Sequence, residues 1–115
     1  MDEKILDEIL PTDSRIRYVG ILSSDLKEVK SKMRKDVKLL LGNEADEVLV
    51  KVLAPVVLGA LSQFTDRLGR LFCSIVRYEK VTLIFFKMGD MHMVVSTEPV
   101  APYDIMKKLE EKLQI

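Results

Sequence analysis

The spacing of hydrophobic positions changes along this chain, and each change marks an element. From Asp2 to Leu10, the apolar residues Ile5, Leu6, Ile9 and Leu10 recur at helical spacing, with Asp2, Glu3, Asp7 and Glu8 between them. This predicts a short helix with an acidic outer face, stopped by Pro11. Arg15 to Leu22 is rich in Ile, Tyr and Val and reads as a strand. Ser23-Ser24-Asp25 supplies turn chemistry. Leu26 to Met33 then alternates, with Val29, Ser31 and Met33 on one face and Glu28, Lys30 and Lys32 on the other. The expected element is the second strand of a hairpin, placed at a sheet edge, where lysines discourage stray pairing. Val37 to Leu41 reads as an apolar loop ended by Gly42.

Glu44 to Leu68 is the centre of the sequence. Asn43 is an expected N-cap, and Glu44, Asp46 and Glu47 suit the positive end of a helix. At a strict helical period, Ala45, Val48, Leu49, Val52, Leu53, Val56, Ala60, Leu61, Phe64 and Leu68 form one stripe, which is expected to face the core. Gly69 is placed to end the helix. Pro55 lies inside it and is expected either to kink it or to split it in two. Val50, Ala54, Val57 and Leu58 fall outside the stripe, so the helix has little polar back to show to water. Such a surface asks for a second layer, and a two-fold copy is the commonest source of one. Val50, Ala54, Val57, Leu58 and Leu61 are therefore the candidate dimer-interface residues.

Beyond Gly69, Leu71 to Arg77, Val81 to Lys87 and Met91 to Thr97 read as three strands joined by turns at Arg77-Tyr78-Glu79-Lys80 and Gly89-Asp90. Pro99 and Pro102 precede a closing helix from Tyr103 to Leu113, whose inner stripe is Ile105, Met106, Leu109 and Leu113. The order α-β-β-α-β-β-β-α predicts a single α+β domain over residues 1–115. Its five-stranded, mostly antiparallel sheet carries the long middle helix on one face and the N- and C-terminal helices on the other.

Composition narrows the function classes. The chain has 115 residues, 48% of them hydrophobic and 31% charged, which suits one globular domain and argues against disorder. Lys plus Arg equals Asp plus Glu at 18 each, so no global field draws the protein to nucleic acid or to a membrane. The single cysteine, Cys73, excludes an intrachain disulfide and makes a reducing cytoplasm the expected location. The acidic N-terminus lacks the pattern of a signal peptide. The apolar stretch from Val48 to Leu61, broken by Lys51, Pro55 and Gly59, is read as too short to span a bilayer.

The segments Arg15-Ile16-Arg17-Tyr18-Val19-Gly20-Ile21, Met33-Arg34, Arg77-Tyr78-Glu79-Lys80-Val81 and Val95-Ser96-Thr97-Glu98-Pro99 resemble small archaeal proteins of unassigned function. The element order resembles the roadblock/dynein light-chain domain of the profilin-like and longin-like group, over nearly the whole chain. That resemblance implies a homodimer with abutting middle helices, a sheet continued across the subunits, and a scaffold role beside small GTPases or in larger assemblies. Pro55 departs from the unbroken middle helix of that family. The basic stretch from Lys27 to Lys38 also goes beyond the family pattern.

Catalytic chemistry finds no support in the pattern. His92, the only histidine, lies between Met91 and Met93, with Met88 nearby and Cys73 on another strand. These are soft metal ligands, but in a strand His92 points away from its two neighbours, and the set lacks metal-ligand spacing. No nucleophile–base set, GxxxxGK[ST] loop or GxGxxG loop occurs. No enzyme activity, cofactor or metal is expected. Lys27, Lys30, Lys32, Arg34 and Lys35, with Lys38, form a candidate partner-binding basic patch, although a protected edge strand plus a solvated loop is the favoured reading of them. Few aromatics accompany these cations, so nucleic acid is not the expected partner. The leading function is a non-catalytic homodimeric scaffold. The alternative is a small-molecule sensor or carrier with a cavity between helix and sheet near Phe72, Phe85 and Phe86.

Overall fold

The computed structural model describes residues 3–35, 41–99 and 102–114. Helix α1 (Lys4–Ile9) runs into a 3-10 turn, Leu10–Thr12, that carries Pro11. Strands β1 (Ile16–Leu22) and β2 (Val29–Met33) form a hairpin. A long helix, α2 (Ala45–Leu68), follows. Then come β3 (Cys73–Arg77), β4 (Thr82–Met88), β5 (Met91–Thr97) and helix α3 (Pro102–Leu113). The predicted element order holds throughout. Val37 and Lys38 lie outside the described residues.

All strand pairings are antiparallel, and the spatial order is β2-β1-β5-β4-β3. The long connection between β2 and β3 lets the last strand, β5, return beside β1. The pair β1–β5, inside the sheet, thus joins the strands farthest apart in sequence among the four pairings. Strand alternation then builds two cores. Val19, Ile21, Ile84, Phe86, Met93 and Val95 face α1 and α3, where they meet Leu6, Ile9, Ile105 and Leu109. Tyr18, Leu22, Leu83, Phe85 and Val94 face α2. Ile16 joins the first group because the register slips between Ile16 and Tyr18. Arg17 is the extra residue of that bulge, and it restores Ile16 to the face of Val19.

Asp13 ties the terminal helices to the sheet. Its side chain is buried and receives the Arg15 guanidinium on both oxygens, at 2.8 and 2.7 Å, and the Lys108 ammonium of α3 at 2.8 Å. Arg15 also reaches Asp104 at 2.7 Å. The Arg15 hydrogen bonds, aided by Lys108, hold the Asp13 carboxyl far below the usual carboxylate range against the opposing effect of burial.

Gly20 sits where β1 passes under α2. A Cβ there would lie 2.5 Å from the Tyr18 hydroxyl and 2.7 Å from Val50 Cγ2. Only a residue without a side chain lets Tyr18 lie along the strand while Val50 seats on it.

Two outcomes follow from these contacts. Gly20→Ala should lower unfolding stability by about 1–3 kcal/mol in urea titration, because Val50 and Tyr18 must both give way. The Asp13 pKa is depressed by folding, so its contribution is complete above the ordinary carboxylate pKa of about 4 and is lost as pH falls below it. Asp13→Asn should therefore be less stable than the parent at pH 7, and the gap should narrow steadily in unfolding curves taken below pH 4. A gap of constant size would contradict this.

Candidate functional surface

The surface that sets this domain apart is the outer side of α2. Helix α2 is continuous through Pro55, with Leu53 and Ala54 both in right-handed helical conformation. It is neither split nor ended there, because its winding changes. Ala45–Leu53 forms a π-helix, and the Ala54 N–H reaches back five residues to the Leu49 carbonyl. The α-helical stretch Ala54–Leu61 takes Pro55 in its first turn, where a missing N–H costs least. In ordinary α geometry the proline ring would press on the Lys51 carbonyl. The wider turn relieves that crowding.

This winding reverses the predicted faces. The buried residues of α2 are Ala45, Leu49, Val50, Ala54 and Leu58, with successive turns separated by four or five residues. They pack on Tyr18, Leu22, Leu83, Phe85 and Val94. Val50, Ala54 and Leu58, expected at a dimer interface, are fully enclosed within the subunit. Val48, Val52, Leu53, Val56, Ala60, Leu61, Phe64 and Leu68, expected inside, are exposed instead. Val56 is 61% and Leu68 82% exposed, far beyond what a core stripe allows. Leu61 stays on the outer side, as expected of an interface residue, and Val57 is half-buried. A strict 3.6-residue period cannot follow a π segment, which advances the inner face by about one extra residue per turn.

The outer face of α2 therefore presents Val52, Val56, Gly59 and Ala60 to solvent. Among the described residues, Ala45–Leu68 is the one helix long and apolar enough, by length and composition, to cross a membrane. That helix extends past both ends of Val48–Leu61, the apolar stretch read above as too short to span a bilayer. In this fold Leu49, Val50, Ala54 and Leu58 bind it to the sheet, so it forms a layer.

The two sheet edges differ. β2 carries Lys30 and Lys32, and both are engaged from the α1 end of the chain: Lys30 with Glu3 at 3.0 Å and Lys32 with Asp7. β3 reads Cys-Ser-Ile-Val-Arg, with no lysine or proline, and pairs only with β4 among the described residues. Its Ile75 is 37% exposed. β3 is thus the unguarded edge.

The basic patch does not assemble as one surface. Arg34 turns inward and donates to the carbonyls of Ile16 at 2.7 Å and Asp13 at 2.8 Å, closing the end of the first helical segment. Lys30 and Lys32 are paired as described. Lys27 and Lys35 are exposed. Of the candidate patch, Arg34 is thus given over to the fold, while Lys27, Lys30, Lys32 and Lys35 stay at least partly exposed.

Phe72, Phe85 and Phe86, expected around one cavity, do not share a side of the sheet. Phe85 is buried under α2 and Phe86 on the opposite face, as strand alternation requires. Phe72 lines a shallow cleft of about 300 Å³ with Ser62, Arg70 and Lys87. A larger, half-open cleft of about 500 Å³ lies beside the N-terminal half of α2, walled by Val48, Leu49, Leu53, Tyr78, Val81 and Leu83. Arg17, Glu44, Glu79 and Lys80 also line it. Tyr18 lines it too, and its hydroxyl donates to Asp46; burial first, then that carboxylate, pushes the phenol above its ordinary range.

His92 lies on the α2 face of β5, whereas Met93 is on the other face with Met88 and Cys73. The four do not converge. Burial, then the Lys87 ammonium, lowers the His92 pKa, and its Nδ1 is buried without a hydrogen-bond partner among the described residues. Burial raises the Cys73 thiol pKa, which opposes nucleophilic use. Among the described residues no three His, Cys, Asp or Glu side chains are grouped to hold a metal ion.

Sequence comparison finds no matching protein family and no matching curated protein. Solved structures do match. The Roadblock/LC7 domain from Streptomyces avermitilis superposes with a TM-score of 0.71 at 12% identity, covering 98% of this chain and 92% of that one. The gliding protein MglB from Thermus thermophilus gives 0.69 at 17% identity, with 96% and 80% covered. MglB from Myxococcus xanthus gives 0.71 at 12%, with 99% and 93% covered. The chain has the Roadblock/LC7 fold.

The reversal of α2 has a direct consequence for stability. Leu58→Ala should cost about 2–5 kcal/mol, as expected of a buried leucine, whereas Val56→Ala should change the stability of the isolated subunit by less than about 0.5 kcal/mol. Denaturant unfolding at high dilution measures both, and equal losses would place the wrong face inward.

Proposed function

We propose that this protein is a non-catalytic interaction domain that works as a homodimer, paired through the outer face of α2 and the open edge of β3. The observation that carries this reading is the apolar row Val52, Val56 and Ala60 left uncovered on a helix whose other side is fully packed. Apolar strips of this kind mark interfaces. A closed two-fold pairing uses the same patch on both subunits and covers the β3 edge in the same step. The fold likeness supports the reading, and one solved structure of that fold is described as MglB with a tetrameric arrangement. A regulatory or scaffold role beside a small GTPase is the finer form of the proposal, supported by the roadblock-like element order. The cytoplasm is its proposed location.

The alternative, a small-molecule carrier, has one observation in its favour, the cleft of about 500 Å³ beside α2. Its walls are largely apolar, and its charged residues are Arg17, Glu44, Glu79 and Lys80. A specific ligand site usually adds a few converging polar groups.

Light scattering after gel filtration tests the main reading. The parent chain should elute with the mass of two subunits, and Val56→Glu should shift it to one, while Lys27→Glu leaves it unchanged. A parent chain of single-subunit mass at high micromolar concentration would overturn the homodimer. The GTPase arm is tested by titrating the dimer with a small GTPase from the same cell, loaded with GDP or with a non-hydrolysable GTP analogue. Binding that depends on the nucleotide is the expected result, and no binding in either state would remove that arm.

A further inference from the structure

The smaller cleft, of about 300 Å³, collects positive charge that the chain leaves uncompensated. Its walls come from three segments. Ser62 and Thr65 belong to the C-terminal part of α2, and Lys87, Met88 and Gly89 to the end of β4 and its turn. Arg70, Leu71 and Phe72 come from the link between α2 and β3.

Lys87 continues the alternation of Leu83 and Phe85 along β4, so its half-buried side chain stands on the α2 face. Its Nζ donates to the Ser62 hydroxyl at 3.1 Å, and that hydroxyl donates to the Leu58 carbonyl at 2.6 Å. An ammonium has three N–H donors, and this contact uses one of them. Arg70 lies over the Phe72 ring, 5.3 Å from its centre, a contact that uses no hydrogen-bond donor. Among the described residues neither cation makes an ion pair. The C-terminal end of a helix attracts cations through its dipole. Yet neither side chain donates to a carbonyl of α2 among the described residues, and the Thr65 carbonyl accepts from the Gly69 amide instead. An ammonium and a guanidinium that share one cleft repel each other, and a dianion answers both.

We propose that this cleft binds a free phosphate monoester, with its phosphate between Arg70 and Lys87 and its organic part against Leu71, Phe72 and Met88. The guanidinium fork matches two phosphate oxygens, and the ammonium adds a point charge. A carboxylate or a sulfate ester brings one negative charge to two cations, whereas a phosphate monoester carries nearly two at neutral pH. The volume lies at the lower end of the range for small-molecule sites, which favours a compact ligand over an extended peptide. The assignment does not depend on the homodimer, since none of these residues belongs to the row Val52, Val56 and Ala60.

Calorimetric titration of the full chain with phenyl phosphate, at neutral pH and low ionic strength, tests it. One ligand per subunit should bind, more tightly than inorganic phosphate, and phenol should not bind. Arg70→Gln and Lys87→Gln should each weaken binding at least about tenfold, as expected for the loss of a hydrogen bond to a charged group. Lys27→Gln makes the same change of charge elsewhere and should leave binding unaltered. Arg70 is exposed, and glutamine at position 87 still offers Ser62 a donor, so both variants should keep the parent circular dichroism. As a second readout, the ring signals of His92, the cross-strand neighbour of Lys87, should move during the titration in NMR spectra. Absence of binding would overturn the proposal. So would equal weakening by all three variants, which marks a general charge effect. A phosphoserine peptide that bound more tightly than phenyl phosphate would overturn the assignment to a free monoester.

Discussion

Pro55 has no amide hydrogen to offer the Lys51 carbonyl, and its ring needs the space that carbonyl would occupy in a regular α-helix. The chain answers by winding Ala45–Leu53 one residue wider per hydrogen bond, and the Ala54 amide closes on Leu49. Everything on α2 takes its orientation from that adjustment. The inner row becomes Ala45, Leu49, Val50, Ala54 and Leu58, and Val50 settles over Gly20, where no other residue would leave it room. The outer row becomes apolar as a consequence, since the helix is apolar on nearly every side. The exposed apolar side of α2 thus originates in a local backbone accommodation.

The sheet is built with a matching asymmetry. Its β2 edge is held by ion pairs to Glu3 and Asp7 and guarded by lysines, and its β3 edge bears neither feature. The terminal helices are fastened on the opposite face through Asp13, Arg15 and Lys108, away from α2. The terminal-helix side and one edge are closed within the chain; the outer side of α2 and the other edge stay available. This division allows a subunit to pair without disturbing the contacts that fold it.

The elements were legible in the sequence because each rests on local signals: the Val29–Ser31–Met33 alternation, the stop at Pro11, the glycine at position 69. The architecture was legible because the order of elements leaves few alternatives. What was not legible was phase. The 3.6-residue period assigned Val52 and Val56 to the core and Val50 and Leu58 to the outside, the reverse of the structure, because a π segment leaves no mark in a pattern that is apolar all round. Only Pro55 hinted that the period would fail. The inward turn of Arg34 was hidden for a different reason. Arg34 finds three backbone carbonyls brought together by the fold of residues 10–16, a contact between segments that spacing cannot reveal. Gly20 was equally silent, since its value lies in what crosses above it.

The bare β3 edge also bears on how the chain must be handled by the cell. A strand of Cys, Ser, Ile, Val and Arg with open backbone groups is a template that accepts any compatible extended peptide, its own copies included. A subunit kept dilute, or produced without enough of whatever normally covers that edge, spends longer in a form prone to wrong pairing. On the pairing proposed above, supply of the covering partner would govern solubility as well as function, so overproduction and scarcity would become distinct hazards for the same five residues.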